Sequence, residues 1–252
     1  MLARAMRMQG RKTLVTSRSS SLRTPRMTDY AIPAPAQPSL PIEGSAQRFP
    51  VHRIYCIGRN YGKHVKEMGG DPKDQPPIFF AKPADAVVAP GGAVPYPPST
   101  KNFHHEIELV VALKAGGANV PASKALELVF GYAAGVDLTR RDLQNQAKDA
   151  GAPWDASKGF DASAPTSAIR PGSAPPSGAI TLKVNGQTKQ DGDLADMIWS
   201  VAEIIAKCSE LWTLQPGDLI FTGTPDGVGP LVKGDTVVGE VAGAGTVEFT
   251  VA

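Results

Sequence analysis

The stretch Lys101–Leu113, KNFHHEIELVVAL, has the alternating pattern of a β-strand and carries two carboxylates on one face. Side chains of a strand point alternately to opposite faces. Glu106, Glu108 and Val110 therefore share one face, and Ile107 and its apolar neighbours share the other. Two adjacent carboxylates repel each other unless a positive charge compensates them, so this strand needs an explanation.

Two explanations fit the paired acids. In the first, the strand lies at the surface, with its apolar face on the core and its acids in water. In the second, the acids bind a hard divalent cation through their oxygens, which requires a third acid from elsewhere in the chain. Asp137 ends the small, apolar segment GYAAGVDL of residues 131–138. Nothing near Asp137 indicates exposure to solvent, so an ordinary surface position explains this acid less well than it explains an acid on a helix.

The composition is that of an ordinary globular protein. The chain has 252 residues, of which 42% are hydrophobic and 20% charged, enough for one sizeable domain or two small ones. Its 26 glycines and 23 prolines are spread along the chain, which favours short strands joined by turns over a helical bundle. Cys56 and Cys208 are far apart, which is typical of buried thiols in a reducing compartment. No apolar run approaches the roughly 18 residues of a membrane span, so we expect a soluble, cytoplasmic protein that binds no membrane.

The positive charge is concentrated at the N-terminus. Residues 1–26 hold seven of the 26 basic groups and no acid, so the remaining 19 basic groups face 24 acidic ones, a formal net charge of −5. We therefore do not expect nucleic-acid binding. The basic tail, residues 1–26, has the composition of a transit peptide or of sequence upstream of a misassigned start, and we expect it to be dispensable. Residues 27–50 read as an extended, proline-rich arm, and the catalytic domain is expected at 51–252.

Several segments carry polar candidates, each of which could also be an ordinary surface residue. A short helix YGKHVKEM (61–68), capped by Asn60, places His64 and Glu67 on one face. A second helix follows Asp137 and places Arg141 and Gln144 on one face. The segment PWDASKGFD (153–161) predicts a loop that holds Lys158 between two aromatic residues.

The C-terminal third predicts strands and one helix. Asn185-Gly186 is a strong signal for a two-residue hairpin. Residues 195–211 have the spacing of an amphipathic helix packed on a sheet, with apolar residues from Ile198 to Cys208. The glycine-rich loop that ends DLIFTGTPDGVG (218–229) lacks the GK[ST] ending of a phosphate-binding loop, which argues against nucleotide binding.

Six segments together resemble the fumarylacetoacetate hydrolase family, and within it the short acylpyruvate hydrolases. In chain order they are CIGRNYGKHVKEM, FFAKPADAVV, HHEIELVV, GYAAGVDLTRRDLQ, WDASKGFD and IFTGTPDGVG. The resemblance runs from about Arg53 to the C-terminus. It implies an α+β, mostly β fold, a mixed β-sandwich roll with a few short helices, and a homodimer.

The resemblance also implies the site. Glu106, Glu108 and Asp137 match the family's ligands for Mg²⁺ or Mn²⁺. The residues that match its catalytic groups are His64 and Glu67 on a lid helix, and Lys158. Those that match or suit its substrate-binding groups are Arg59, Arg141, Gln144 and Thr224. Arg59 and Arg141 are the candidates to contact a distal carboxylate of the substrate.

The implied reaction is hydrolysis of a carbon–carbon bond in a 2-oxo acid, with fumarylpyruvate as the expected substrate. The ion acts as a Lewis acid on the 2-oxo acid, and His64 polarised by Glu67 takes a proton from water. Lys158 stabilises the negative charge that develops. Two alternatives remain on the same residues: decarboxylation of oxaloacetate or a general acylpyruvase, and, more distantly, a metal-binding homologue without catalysis.

Overall fold

The computed structural model describes residues 30–62, 73 and 76–252. The chain divides into two units, Met1–Ala36 and Gln37–Ala252. In the described part of the first unit, residues 30–36, there is no helix or strand, and Tyr30 and Ile32 are exposed. The second unit holds the strands and helices that form the site.

The described residues contain many short strands and few helices. In chain order the strands are β1 (Ser39–Pro41), β2 (Arg48–Pro50), β3 (Ile54–Gly58), β4 (Ile78–Lys82), β5 (Val87–Val88), β6 (Ala93–Val94), β7 (Phe103–His105), β8 (Ile107–Leu113), β9 (Val129–Val136), β10 (Thr139–Arg140), β11 (Ala164–Pro165), β12 (Arg170–Pro171), β13 (Ala179–Val184), β14 (Gln187–Asp193), β15 (Leu219–Phe221), β16 (Gly229–Pro230), β17 (Thr236–Val241) and β18 (Gly245–Val251). The helices are α1 (Ala122–Ala125), α2 (Arg141–Ala150), α3 (Asp155–Lys158) and α4 (Val201–Leu211), with 3₁₀ turns at Ala84–Ala86, Leu126–Leu128 and Leu194–Asp196.

Two sheets form the body of the second unit. One has six strands in the order β12-β9-β8-β15-β3-β4, and the other has five in the order β14-β13-β17-β18-β6. Both are mixed, because β15 runs parallel to β3 and β18 runs parallel to β6, whereas their other neighbours are antiparallel. The remaining strands form two pairs, β1-β2 and β11-β5, and a three-stranded sheet, β10-β7-β16. The prediction of a mostly β, mixed sandwich roll with a few short helices is confirmed.

The central strand β8 is buried on both faces. Ile107 and its alternate neighbours pack with Ile180 and Phe249 of the five-stranded sheet in one apolar cluster. Val110 packs in a second cluster on the opposite face. Glu108 is 1% exposed and Glu106, just before the strand, 8% exposed. The explanation that placed these acids in water is therefore wrong, because other parts of the fold cover the polar face as well.

Packing begins earlier in the chain than the prolines indicate. We expected an extended arm with little core of its own up to Pro50, yet Leu40 is fully buried and Phe49 is 5% exposed. They face each other in the antiparallel pair β1-β2 and pack in the same apolar cluster as Val110. Prolines are tolerated here because they stand at the ends of short edge strands.

The hairpin and the helix ends follow local rules. Asn185 and Gly186 have φ of +50° and +76°, so the predicted two-residue turn is confirmed. The helix predicted within residues 195–211 begins at Val201, because the Ser200 hydroxyl accepts a hydrogen bond from Glu203 N while the Glu203 carboxylate accepts one from Ser200 N. Lys158, predicted in a loop, ends the one-turn helix α3.

Three other findings bear on the predictions. The described side-chain hydrogen bonds of Asn60 run to Trp199 and Thr222. Tyr61, where the capped helix was expected to begin, forms an isolated bridge with Met197, and residues 63–68 of that helix lie outside the described residues. Cys56 in β3 and Cys208 in α4 are free thiols, both fully buried. In the described part of the chain, no helix has the length and apolar character needed to span a membrane.

Candidate metal and substrate site

Neighbouring strands bring three carboxylates together. Ile107 in β8 pairs with Val136 in β9, so Glu106 lies opposite Asp137, and the Asp137 N–H donates to the Glu106 carbonyl at 2.8 Å. Glu108 follows on the same face of β8. One oxygen of each of these acids lies within 4.8 Å of the others, and all three side chains are buried.

Lys158 connects two of the three acids. Its Nζ donates to Glu106 Oε2 at 2.8 Å and to Asp137 Oδ2 at 2.5 Å, and its third hydrogen bond goes to Thr139 Oγ1 at 2.7 Å. Burial acts to lower the pKa of Lys158, but the charges of Asp137 and Glu106 outweigh it and raise this pKa. The ammonium is therefore charged at neutral pH.

A second buried lysine, Lys82, was not among the sequence candidates. It ends β4, and its Nζ donates to the carbonyls of Leu138 at 3.1 Å and Lys158 at 2.5 Å. It also lies 2.8 Å from Asp137 Oδ1, although without the angle of a hydrogen bond, and Oδ1 has no other donor. The signal that could have found Lys82 is a charged residue in the otherwise apolar strand IFFAK.

The three acids differ in their charge compensation. Burial acts to raise the pKa of Glu106, but Lys158 and Arg141, whose Nη2 donates to Glu106 Oε1, lower it to about 2. Burial raises the pKa of Glu108 well above its usual value, and the charges of Asp137 and Glu106 raise it further. Glu108 Oε2 accepts a hydrogen bond from Gly223 N at 2.7 Å, but no described lysine or arginine forms an ion pair with Glu108.

The donor set fits a hard divalent ion. Three buried carboxylates provide the oxygen ligands that Mg²⁺ and Mn²⁺ prefer. Asp137 Oδ1 is buried without a hydrogen-bond donor, although the Lys82 ammonium lies close to it, and Glu108 has no ion-pair partner among the described residues. An ion held by Glu106, Glu108 and Asp137 would satisfy both groups.

The acids lie in a cavity of about 240 Å³. Every predicted site residue in the described part of the chain lines it, namely Arg59, Glu106, Glu108, Asp137, Arg141, Gln144, Lys158 and Thr224. Gln144 accepts a hydrogen bond from Arg141 Nη1, as expected for neighbours on one face of α2. Arg59 has a left-handed backbone, with φ of +61°. His64 and Glu67 lie outside the described residues, so their roles stay predictions.

His104 orients the guanidinium of Arg141 through a hydrogen bond. Its Nδ1 accepts a hydrogen bond from Arg141 Nε at 3.4 Å, and its Nε2 lies 2.8 Å from Asn102 Oδ1. An imidazole that accepts at Nδ1 and donates at Nε2 is neutral. Burial and the charge of Arg141 lower the pKa of His104 to about 4.

Gln190 links the Thr224 loop to the strand that carries the acids, and sequence reasoning missed it. Its Oε1 accepts hydrogen bonds from Ile107 N and His105 Nδ1, both at 3.0 Å. Its Nε2 donates to Thr224 Oγ1 at 2.8 Å and to the Pro225 carbonyl at 2.9 Å. The Thr224 oxygen is thus used as an acceptor, so its own proton is available to a ligand in the cavity. A lone glutamine in a polar strand offers no signal for this role.

Comparison with known proteins gives consistent matches. Residues 53–252 match the family described as fumarylacetoacetate (FAA) hydrolase C-terminal. The chain is 47% identical over 197 residues to the fumarylpyruvate hydrolase of Ralstonia sp, which covers 77% of this chain and 98% of that protein. It is 41% identical over 201 residues to the mitochondrial oxaloacetate tautomerase FAHD1 of Mus musculus, over 79% of this chain and 90% of that protein.

A solved structure extends these matches to the fold. The fumarylpyruvate hydrolase of Pseudomonas aeruginosa, in complex with Mn²⁺ and pyruvate, superposes with a TM-score of 0.83 at 47% sequence identity. The match covers 89% of this chain and 99% of that chain.

Proposed function

Because this chain belongs to the fumarylacetoacetate hydrolase family, we propose that it is a metal-dependent hydrolase that cleaves fumarylpyruvate to fumarate and pyruvate. The observation that carries the proposal is the buried cluster of Glu106, Glu108 and Asp137, bound to Lys158 and open to a cavity. The P. aeruginosa relative that binds Mn²⁺ and pyruvate supports a divalent ion as the cofactor and a 2-oxo acid as the ligand.

The reaction adds the hydroxide part of water to the acyl carbonyl carbon and breaks the bond to the neighbouring methylene carbon. The bonding electrons leave on pyruvate as its enolate, which then takes up a proton. A divalent ion held by Glu106, Glu108 and Asp137 would supply Lewis-acid polarisation of the 2-oxo acid. Lys158 is held next to this position as a permanent cation, and it stabilises the negative charge of the enolate.

The other side chains bind and orient the substrate. Arg141 is fixed by Glu106 and His104, and Gln144 by Arg141, so a planar guanidinium and an amide face a carboxylate that enters the cavity. The Thr224 hydroxyl is oriented by Gln190 and donates to a substrate oxygen. Activation of water is assigned to His64 and Glu67 on the resemblance alone.

A second candidate function is tautomerisation of oxaloacetate. It is favoured by the 41% identity to the tautomerase of Mus musculus. Oxaloacetate is also a 2-oxo acid, and its keto and enol forms interconvert through the same kind of enolate, without an attacking water. Decarboxylation of oxaloacetate would use the same residues.

The test is a side-by-side assay of the purified protein with Mg²⁺ or Mn²⁺. Fumarylpyruvate, acetylpyruvate and oxaloacetate are supplied separately, and pyruvate release, keto–enol interconversion and loss of CO₂ are followed. We expect fumarylpyruvate to have the highest kcat/KM. A clear preference for oxaloacetate would replace the hydrolase proposal, and equal rates on acetylpyruvate would show that the distal carboxylate is not recognised.

Two further experiments separate the parts of the proposal. Glu67→Gln should lose hydrolysis while pyruvate still binds in the presence of Mn²⁺, and an unchanged rate would remove the His64–Glu67 pair from the mechanism. We also propose that the enzyme is a homodimer, which light scattering on the full chain would test.

A further inference from the structure

A substrate with a carboxylate at each end needs a cationic contact at both. The guanidinium of Arg141 already donates three hydrogen bonds within the protein. Its Nη2 donates to Glu106, its Nη1 donates to Gln144 Oε1, and its Nε donates to His104 Nδ1. A second cation must therefore contact the outer end of a long substrate.

Lys148 lies on the same face of α2 as Arg141, two turns further along. Arg141, Gln144 and Lys148 follow the i, i+3, i+7 spacing of one helical face, and all three line the cavity. Seven residues of α-helix rise by about 10 Å. Lys148 thus lines the cavity two turns beyond Arg141, a separation that suits the far carboxylate of a linear substrate.

The Lys148 ammonium contacts an aromatic ring and has no ion-pair partner among the described residues. Its Nζ lies 5.3 Å from the centroid of the Trp154 ring, a cation–π contact, and no carboxylate in the described part of the chain forms an ion pair with it. Burial and the charges of Arg141 and Arg59 lower the pKa of Lys148. This is the direction expected for a cation among other cations, and an anion bound beside it would relieve their repulsion.

We propose that Lys148 binds the distal carboxylate of the substrate and makes the site selective for 2-oxo acids with a second carboxylate at the far end. The inference rests on the proposed function, because it names a subsite of the same cavity. Arg59 also lines the cavity and is exposed, as Lys148 is, but it stands in a bend after β3. Lys148 is instead carried by a helix and steadied by an aromatic ring, and this fixes its position better.

The kinetic test compares two substrates in two variants. Lys148→Met keeps most of the length of the side chain and removes its charge. A charge-assisted hydrogen bond corresponds to roughly 10–100-fold in affinity, so kcat/KM for fumarylpyruvate should fall by about that factor, mainly through KM. The value for acetylpyruvate, which lacks the distal carboxylate, should stay within about twofold. Lys183→Met, which removes an exposed lysine of β13, is the control and should leave both values unchanged.

A binding measurement tests the subsite without turnover. The ligands are 2-oxoheptanedioate, which has the chain length of fumarylpyruvate, and 2-oxoheptanoate, which carries a methyl group in place of the distal carboxylate. Calorimetry in the presence of Mn²⁺ should show that the wild type binds the diacid more tightly and that Lys148→Met loses this preference. Added salt should weaken the preference of the wild type.

The outcomes of the two tests are distinct. If the protein hydrolyses no acylpyruvate, the proposed function fails, and the binding comparison still decides whether Lys148 contacts the distal carboxylate. The inference is wrong if the wild type has no preference for the diacid, or if Lys148→Met weakens both ligands equally. It is also wrong if Arg59→Met removes the preference and Lys148→Met retains it, because the subsite then belongs to Arg59.

Discussion

Lys158 determines how much negative charge the buried cluster can hold. Its ammonium is the shared donor to Glu106 and Asp137, so Lys158→Met would leave Glu106 paired with Arg141 alone and Asp137 paired with Lys82 alone. Removal of one partner of a buried ion pair destabilises proteins by about 3–5 kcal/mol, and we expect a loss of that size for the metal-free protein. Loss of a donor that stabilises developing charge should lower kcat by about 10²–10³-fold.

Urea unfolding after chelation measures the stability, and steady-state kinetics with Mn²⁺ measures the rate. Lys183→Met provides the control for loss of a lysine. Equal stability of Lys158→Met and the wild type would mean that the ammonium does not compensate the acids.

His104 should make the fold sensitive to pH. Burial and Arg141 lower its pKa from 6.5 to about 4, so the unfolded chain binds a proton at a higher pH than the folded protein. The free energy of unfolding should therefore decrease as pH falls from 6.5 towards 4. Because His104 is only partly buried, we expect its share to be about 1 kcal/mol after solvent screening.

The measurement is urea unfolding of the metal-free protein at pH 7 and pH 5. In His104→Gln the decrease between these pH values should be smaller than in the wild type. Identical decreases would show that His104 is protonated equally in both states.

At the level of single residues, the sequence supported part of the site. Strand alternation placed Glu106 and Glu108 on one face, and it could do so because the period of a strand is independent of its surroundings. It could not reveal that this face is buried, because burial depends on which elements cover it. Lys82 and Gln190 were missed for the same reason, since each reaches the site from a strand that is distant in the sequence.

Among the elements, the pairing of β8 with β9 requires a residue without a side chain at position 135. Gly135 pairs with Glu108, and a Cβ at Gly135 would lie 2.5 Å from Val110 Cγ2 and 2.7 Å from Phe221 Cε1. Gly135→Ala should destabilise the protein by about 1–3 kcal/mol through overpacking. It should also weaken Mn²⁺ binding, because Asp137 follows two residues later.

Gly239→Ala is the matched comparison. A Cβ there would meet the Ile107 Cδ1 atom at 2.5 Å, but this is the end of a flexible side chain that can rotate away. Thermal unfolding should show the larger loss for Gly135→Ala. The reverse order would mean that β9 can move away from Phe221.

Element boundaries were predictable only where a local rule applies. The turn at Asn185-Gly186 needs two residues with positive φ, and the sequence shows it directly. The start of α4 at Val201 is set by the pair Ser200 and Glu203, a pattern that outweighs the apolar residue Ile198 before it. The one-turn helix α3 is too short for any periodicity, and β1 depends on pairing with β2 rather than on its own composition.

For the whole molecule, a divalent ion should act as a stabilising ligand. An ion at 100 times its dissociation constant adds about 2.7 kcal/mol to the free energy of unfolding if it binds only the folded state. The raised pKa of Glu108 means that the ion competes with a proton, so its affinity should increase with pH. Melting curves with and without Mn²⁺ between pH 6 and 8 measure both effects.

Glu108→Gln is the informative variant. It removes a buried carboxylate that has no ion-pair partner in the described part of the chain, so the metal-free protein should become more stable while the stabilisation by Mn²⁺ disappears. A variant that is still stabilised by Mn²⁺ would place the ion elsewhere.

The two buried thiols can be used to measure how often the surrounding structure opens. Burial raises the pKa of Cys56, and it raises that of Cys208 to about 12, so neither forms the reactive thiolate in the closed protein. An alkylating reagent can modify them only during transient exposure, and the modification rate then reports the free energy of that opening. Cys56 belongs to the six-stranded sheet and Cys208 to α4. Peptide mass spectrometry of the modified cysteines over time would therefore show whether the helix and the sheet open separately or together.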